Sequence, residues 1–196
     1  MALCEPVDER VTASSNAEAF SDRELIAAIN GGDAAAFEIL YFRYRDWVAG
    51  LAFRFTGDSD AALDVLQETF LYVLRKFPGF QLTANFKTFL YPAVRNLSIA
   101  SRQKAERYQA SEEALKQLEN TPGPAGTDSA AGDLEAVLAE LPEEQREAIL
   151  LRFVDGLSLR DIAEAMQIPL GTVKSRLHNA LQALRQSERT KDFFKR

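Results

Sequence analysis

Residues 119–133 of this 196-residue chain read Glu–Asn–Thr–Pro–Gly–Pro–Ala–Gly–Thr–Asp–Ser–Ala–Ala–Gly–Asp. Proline lacks the amide donor, and glycine loses the most backbone entropy on ordering. Two prolines and three glycines with almost no apolar bulk therefore cannot sustain a helix or a strand, and a flexible linker is expected. Any core the chain builds has to close separately on either side of it.

Upstream, apolar residues recur at spacings of three and four, the period of a helix buried on one side. Ser21–Asp–Arg–Glu24 has capping-box form; Leu25, Ile26 and Ile29 follow, and Gly31–Gly32 stops that helix. Between Ala34 and Thr56 the series Phe37, Leu40, Tyr41, Tyr44, Trp47, Val48, Leu51 and Phe55 predicts a second helix, ended by Gly57. Asp58–Ser59–Asp60 caps a third, with Leu63, Leu66, Phe70, Val73, Leu74 and Phe77 expected inward and Pro78–Gly79 as its stop. After a loop at about 80–85, a fourth helix is expected over Phe86–Tyr108.

Downstream the same period returns. A short lead-in helix is expected at Leu134–Glu140, and Pro142 suits the first position of the next, whose inner face is Ile149, Leu150 and Phe153 before Asp155–Gly156. Ser158 caps a short helix with Asp161 three residues on, and Leu159, Ile162, Ala163 and Met166 are its inner residues. A turn at Gln167–Ile168 leads to Pro169 and a last helix with the stripe Leu170, Val173, Leu177, Leu181 and Leu184. No alternating β-branched run occurs, so the expected class is all-α: two small helical domains on a tether.

The formal net charge of −6 argues against a polyanionic partner only until it is divided along the chain. Residues 81–108 carry five basic and one acidic side chain, and residues 169–196 carry seven and two. The stretches between and before them are acidic. Local sign decides where a polyanion docks, so a chain basic in two places can bind DNA weakly alone and well with help.

Other functions lose their chemistry early. One cysteine (Cys4) excludes an internal disulfide and a cysteine-based zinc site, and one histidine (His178) excludes a multi-histidine metal site. No phosphate-cradling glycine loop and no clustered carboxylates of metal spacing appear, so neither an enzyme nor a cofactor is expected. No apolar run approaches the ~18 residues of a membrane span, and Cys4–Glu5–Pro6 breaks a secretory-signal reading. A reducing, cytoplasmic setting is expected.

Two short helices joined by a tight turn, the second basic, form a helix-turn-helix. At 100° per residue, Thr172, Ser175, Asn179 and Gln182 lie opposite the Leu/Val stripe of the last helix, with Lys174, Arg176 and His178 on its flanks. Small polar groups can approach base edges while flanking cations reach phosphates. A solvated basic face would share the pattern of the last helix alone; the Ser cap, short helix and turn before it favour DNA.

Leu157–Ser–Leu–Arg–Asp–Ile–Ala–Glu–Ala–Met followed by Ile168–Pro–Leu–Gly–Thr–Val–Lys–Ser–Arg–Leu–His178 resembles region 4 of bacterial sigma factors, which reads the −35 promoter element. The lead-in Leu141–Pro–Glu–Glu–Gln–Arg–Glu–Ala–Ile–Leu–Leu–Arg152 fits the same pattern. Upstream, Asp64–Val–Leu–Gln–Glu–Thr–Phe–Leu–Tyr–Val–Leu74 resembles region 2.2, which binds core RNA polymerase, and implies core contacts at Asp64, Gln67, Glu68 and Leu71. Phe86–Lys–Thr–Phe–Leu–Tyr–Pro–Ala–Val–Arg–Asn96 resembles regions 2.3 and 2.4, which open and read the −10 element. That likeness implies DNA contacts at Asn85, Phe86, Lys87, Arg95, Asn96 and Arg102, and places the pocket for a flipped-out base at the loop Gln81–Asn85. Aromatic faces beside cations suit unpaired bases, which are held by stacking and phosphate neutralisation; for Phe89, core packing competes with that role.

Two such motifs in order, without a region 3 between them, resemble the extracytoplasmic-function group of the sigma-70 family. The resemblance implies a factor that binds core RNA polymerase and promoter DNA, is held inactive by an anti-sigma factor, and does not insert stably into a membrane. Its organisation would be an arm at 1–20, region 2 at 21–108, a linker at 109–133, region 4 at 134–186 and a basic tail at 187–196. Phe89 stands where Trp is common, Ala100 where an acid is common and Asn179 where Arg is common; Pro92 is expected to kink or restart its helix. A one-component regulator with the same helix-turn-helix is the competing reading, and it requires DNA binding without core polymerase.

Overall fold

The computed structural model describes residues 20–116 and 137–186, with the side chains of 109–116 left out. The expected arm, most of the linker and the basic tail lie outside the described residues, as does the start of the lead-in helix. All regular structure among the described residues is helical, and none of these helices is long and apolar enough to cross a membrane. The chain divides into two compact units, Met1–Arg107 and Tyr108–Arg196.

The first unit is built from α1 (Asp22–Asn30), α2 (Ala34–Thr56), α3 (Ser59–Leu74) and the start of α4 (Phe86–Lys116). Each start is fixed by a short polar side chain that answers an amide left unpaired in the first turn. The Ser21 hydroxyl accepts from the Glu24 amide and the Glu24 carboxylate accepts from the Ser21 amide, completing the expected capping box. These bonds hold the Glu24 carboxyl below the usual carboxylate range. Asp33 and Asp58 cap α2 and α3 in the same manner, and the Asn85 carboxamide oxygen accepts from the Lys87 amide at the start of α4. Gly57 ends α2 at φ 69°, where a side chain would be strained.

Leu40, Val48, Leu51, Leu66, Phe70 and Val73 close the core between α2 and α3. Asp22 ties α1 to α2, accepting from the Arg43 guanidinium and the Tyr44 hydroxyl at 2.5 Å each. Burial and that bond to Asp22 push the Tyr44 phenol far above its ordinary range.

Three expectations about this unit change. Leu63 and Leu74 face solvent instead of the core. The fourth helix runs to Lys116, beyond the expected end at Tyr108. Pro92 does not restart it: the helix is continuous from Phe86, because Tyr91 and Val94 beside the proline are fully buried and hold the backbone in place.

In the second unit, residues 137–139 form a short helical turn. It precedes α5 (Glu143–Ile149), a wide π-helical turn at Leu150–Val154, α6 (Leu159–Ala165) and α7 (Leu170–Gln186). Arg146 knits this entry together, donating to the carbonyls of Leu138, Ala139 and Leu141. Pro142 lies just outside the helix it was expected to open, with Glu143 as the first helical residue. The extra residue in the π-helical turn shifts the period, so Leu151 packs inward and Phe153, expected inside, is 62% exposed. Ser158 and Asp161 complete the second capping box.

Leu157, Ile162, Ala165, Val173, Leu177 and Ala180 then bury α6 against α7. Leu170, at the first turn of α7, stays partly exposed, and Leu181 and Leu184 are half-buried. The turn between the two helices passes through Gln167 at φ 55°.

Candidate nucleic-acid interface and a second exposed face

Helix α7 presents the expected outward side. Burial of Val173, Leu177 and Ala180 fixes its rotation, leaving Lys174, Ser175, His178, Asn179 and Gln182 exposed and Thr172 half-buried. The Ser175 hydroxyl donates back to the Thr172 carbonyl at 3.0 Å, so its oxygen is left facing outward as an acceptor. Arg176 departs from the expectation of a DNA contact. Its guanidinium pairs with Glu144 of α5, and its side chain is only 18% exposed. It sits 60° from Val173 on the helix wheel, close enough to the buried stripe to lean toward α5, where its partner Glu144 is exposed.

Beneath that pair lies Glu147, almost fully buried. Burial pushes its carboxyl up to about 7, against the opposing pull of Arg176.

The expected interface on α4 and its preceding loop is rearranged by packing. Phe86 has no exposed surface: its ring centroid lies 4.9 Å from that of Tyr44. It is a core residue, which corrects the expectation that it stacks on a base. Tyr91 is equally buried, 6.4 Å from Phe55. Phe89 is half-buried, stacked on Tyr72 at 5.9 Å and tilted against Phe80 at 4.5 Å, with the Lys76 ammonium 4.8 Å from the Tyr72 ring centre. The rings of α4 face α2 and α3 because both neighbouring helices present aromatics to it.

Polar residues remain on the accessible side. Asn96 and Arg102 are exposed, with Arg102 in an i,i+4 pair with Glu106. Arg95 is half-buried, and Lys87 is half-buried with its ammonium 5.5 Å from the Trp47 ring centre. Asn85 is exposed, although its carboxamide oxygen is committed to capping α4.

A second face lies on α3. Asp64, Gln67, Glu68 and Leu71 are all exposed, as expected. The structure adds Leu63 and Leu74, so leucines 50%, 50% and 42% exposed, at 63, 71 and 74, share one side with the three polar residues. On a helical wheel 63, 67, 71 and 74 fall within 80° of one another, and Leu63 and Leu74 lie 20° and 40° from the buried Phe70, at the edge of the inner stripe. Three leucines in a row on solvent, framed by carboxylates, suit a protein surface better than a polyanion. Among the described residues, no group of three His, Cys, Asp or Glu side chains could hold a metal ion.

Comparison with known proteins follows the same division of the chain. The family described as sigma-70 region 2 matches residues 40–108, and that described as sigma-70, region 4 matches residues 131–184. The RNA polymerase sigma-H factor of Pseudomonas aeruginosa is 32% identical over 177 residues, 83% of this chain and 91% of that relative. The ECF RNA polymerase sigma-E factor of Escherichia coli K12 is 32% identical over 181 residues, covering 85% and 94%. Among solved structures, the sigma factor RpoE of Bartonella quintana, in complex with the anti-sigma factor NepR, matches at TM-score 0.59 and 25% identity, over 82% of this chain and 98% of that one. CnrH, in complex with the cytosolic domain of CnrY, shares the fold at TM-score 0.61 and 21% identity, over 83% and 93%.

Proposed function

The chain belongs to the extracytoplasmic-function group of the sigma-70 family, a sigma factor that directs RNA polymerase to promoters, and from that premise we propose how its two units divide the work. Region 2, at 21–108, takes core polymerase on α3 through Asp64, Gln67, Glu68 and Leu71, joined by Leu63 and Leu74. The same unit meets the −10 element with the loop 81–85 and with Lys87, Arg95, Asn96 and Arg102. Region 4, at 134–186, lays α7 in the major groove of the −35 element. There Ser175 and Asn179 face base edges while Lys174, His178 and Thr172 approach from the flanks. Arg176 holds α7 to α5 through Glu144.

The observation that carries this reading is the rotation of α7. Its buried stripe leaves a polar side in the unit matched to sigma-70 region 4. Two modules on one chain raise each other's effective concentration at a promoter, so neither needs tight DNA affinity alone. Control by an anti-sigma factor belongs to the same proposal, on the strength of the complex in which a related sigma factor was solved. The factor works in the cytoplasm, beside its polymerase, as an initiation factor without a catalytic centre of its own.

The reading is tested by two variants assayed separately for core binding and promoter binding. Leu71→Asp is expected to weaken association with core polymerase about 100-fold and leave binding of the isolated −35 duplex unchanged. Asn179→Ala is expected to do the reverse. Loss of both activities in either variant would contradict the division of labour.

A further inference from the structure

Asn30, the last residue of α1, spends its whole carboxamide on a segment fifty residues away. Its oxygen accepts from the Gly79 amide at 2.6 Å and the Phe80 amide at 3.1 Å, and its nitrogen donates to the Phe80 carbonyl at 2.8 Å. The end of α1 does not need this side chain. The Gly31 amide already bonds the Ala27 and Ala28 carbonyls, and the Gly32 amide bonds that of Ile29.

Gly79 is at φ 101°, a conformation that turns its amide toward Asn30 and that side-chain-bearing residues rarely adopt. Phe80, held on both its backbone groups, packs its ring against Phe89 at 4.5 Å. Five residues later the Asn85 oxygen fixes the start of α4. Gln81, Leu82, Thr83 and Ala84 are therefore strung between two anchored ends.

We propose that Asn30 is a positioning residue for −10 recognition, setting the backbone of the loop 81–85 so that it can hold a promoter base. This rests on the reading of that loop given under the proposed function. Asn30 itself lies before the residues matched to region 2, and nothing in its local sequence marks it. Only a side chain with a donor and an acceptor on one plane can clamp the amide and carbonyl of a single residue together. Alanine removes all three bonds. Aspartate keeps the two accepted ones and sets a carboxylate oxygen against the Phe80 carbonyl.

The test uses the full chain with core polymerase in run-off transcription. The templates are a promoter the parent chain transcribes and its single-base variants, in the −10 element and in the −35 element. A mismatch typically costs 1–3 kcal/mol, so the parent is expected to prefer each cognate base by roughly 5- to 150-fold. Asn30→Ala is expected to shrink the −10 preference about fivefold, as the loss of one to two net hydrogen bonds would, with the −35 preference and core affinity unchanged. Asn30→Asp is expected to shrink it less, and it carries the test if the alanine variant melts at the assay temperature.

Unaltered −10 preference in the folded variant overturns the proposal, and so does a parallel fall at both elements, which would mark Asn30 as merely structural. If the parent chain gives no core-dependent transcript from any promoter, the sigma-factor reading fails first and takes the proposal with it.

Discussion

Helices α4 and α7 both carry residues assigned to DNA, yet they are packed in different ways. Only one side of α7 is covered, by α5 and α6, and its polar side is free along the length of the helix. Helix α4 meets aromatic rings from two helices, Tyr44 and Phe55 of α2 and Tyr72 of α3, and Phe86, Leu90, Tyr91 and Val94 vanish into the core. What remains for DNA on α4 is a set of polar residues at its edges and the loop before it. On the proposed function, α7 reads bases with its own side chains, whereas α4 lends its edge residues and supports the loop before it.

The largest expected effect tests that contrast in stability. Phe86→Ala should cost about 3–5 kcal/mol in denaturant unfolding of the first unit, as removal of a buried aromatic does. Asn179→Ala should leave the unfolding curve where it was. Equal stability of both variants would return Phe86 to the surface and break the comparison.

Leu71→Asp comes next. Placing a carboxylate at the centre of an apolar docking face should weaken core-polymerase binding about 100-fold, or ~3 kcal/mol, measured by fluorescence titration.

The third effect is on pH. The Glu147 carboxyl is raised to about 7 by burial, from an ordinary value of 4.5. Its proton is therefore bound more tightly in the folded state. Its influence on stability is most favourable below about pH 4.5, declines as pH rises toward 7 and levels off above. Glu147→Gln should remove this decline, leaving the variant more stable than the parent at pH 8 by an amount on the order of 3 kcal/mol. Paired denaturant titrations at pH 5 and pH 8 measure the difference. A gap between variant and parent that is the same at both pH values would contradict the assignment.

The smallest effect concerns the turn that aims α7. Gln167→Gly should stabilise the second unit by about 1 kcal/mol, because glycine occupies the left-handed region without strain. A thermal midpoint that falls would show that the Gln167 side chain contributes more than its backbone costs.

Much of the architecture was legible because it depends on local chemistry. Ser21 with Glu24, Asp58, Ser158 with Asp161, and Gly57 are each decided within a few residues, and each ends or starts a helix as expected. The polar side of α7 was legible for a related reason: a single buried stripe leaves one angle free. The burial of Phe86 was not legible, because an aromatic beside cations has the same sequence signature whether a base or another helix covers it. Leu63 and Leu74 lie within 40° of the buried Phe70 on the helical wheel, and at that edge neither residue type nor angle tells a covered leucine from an exposed one. Phe153 was displaced by a single added residue in the π-helical turn, which no hydrophobic period announces. Asn30 and the Arg176–Glu144 pair are long-range contacts, and nothing local to either residue encodes its partner.

The most direct test is transcription of fragmented genomic DNA of the source organism by core RNA polymerase, with and without this chain, followed by sequencing of transcript 5′ ends. Start sites that appear only when both proteins are present, preceded by two shared sequence blocks, are the predicted result. The same start sites with core alone, or specific DNA binding by the chain that neither requires core nor yields a transcript with it, would contradict the account.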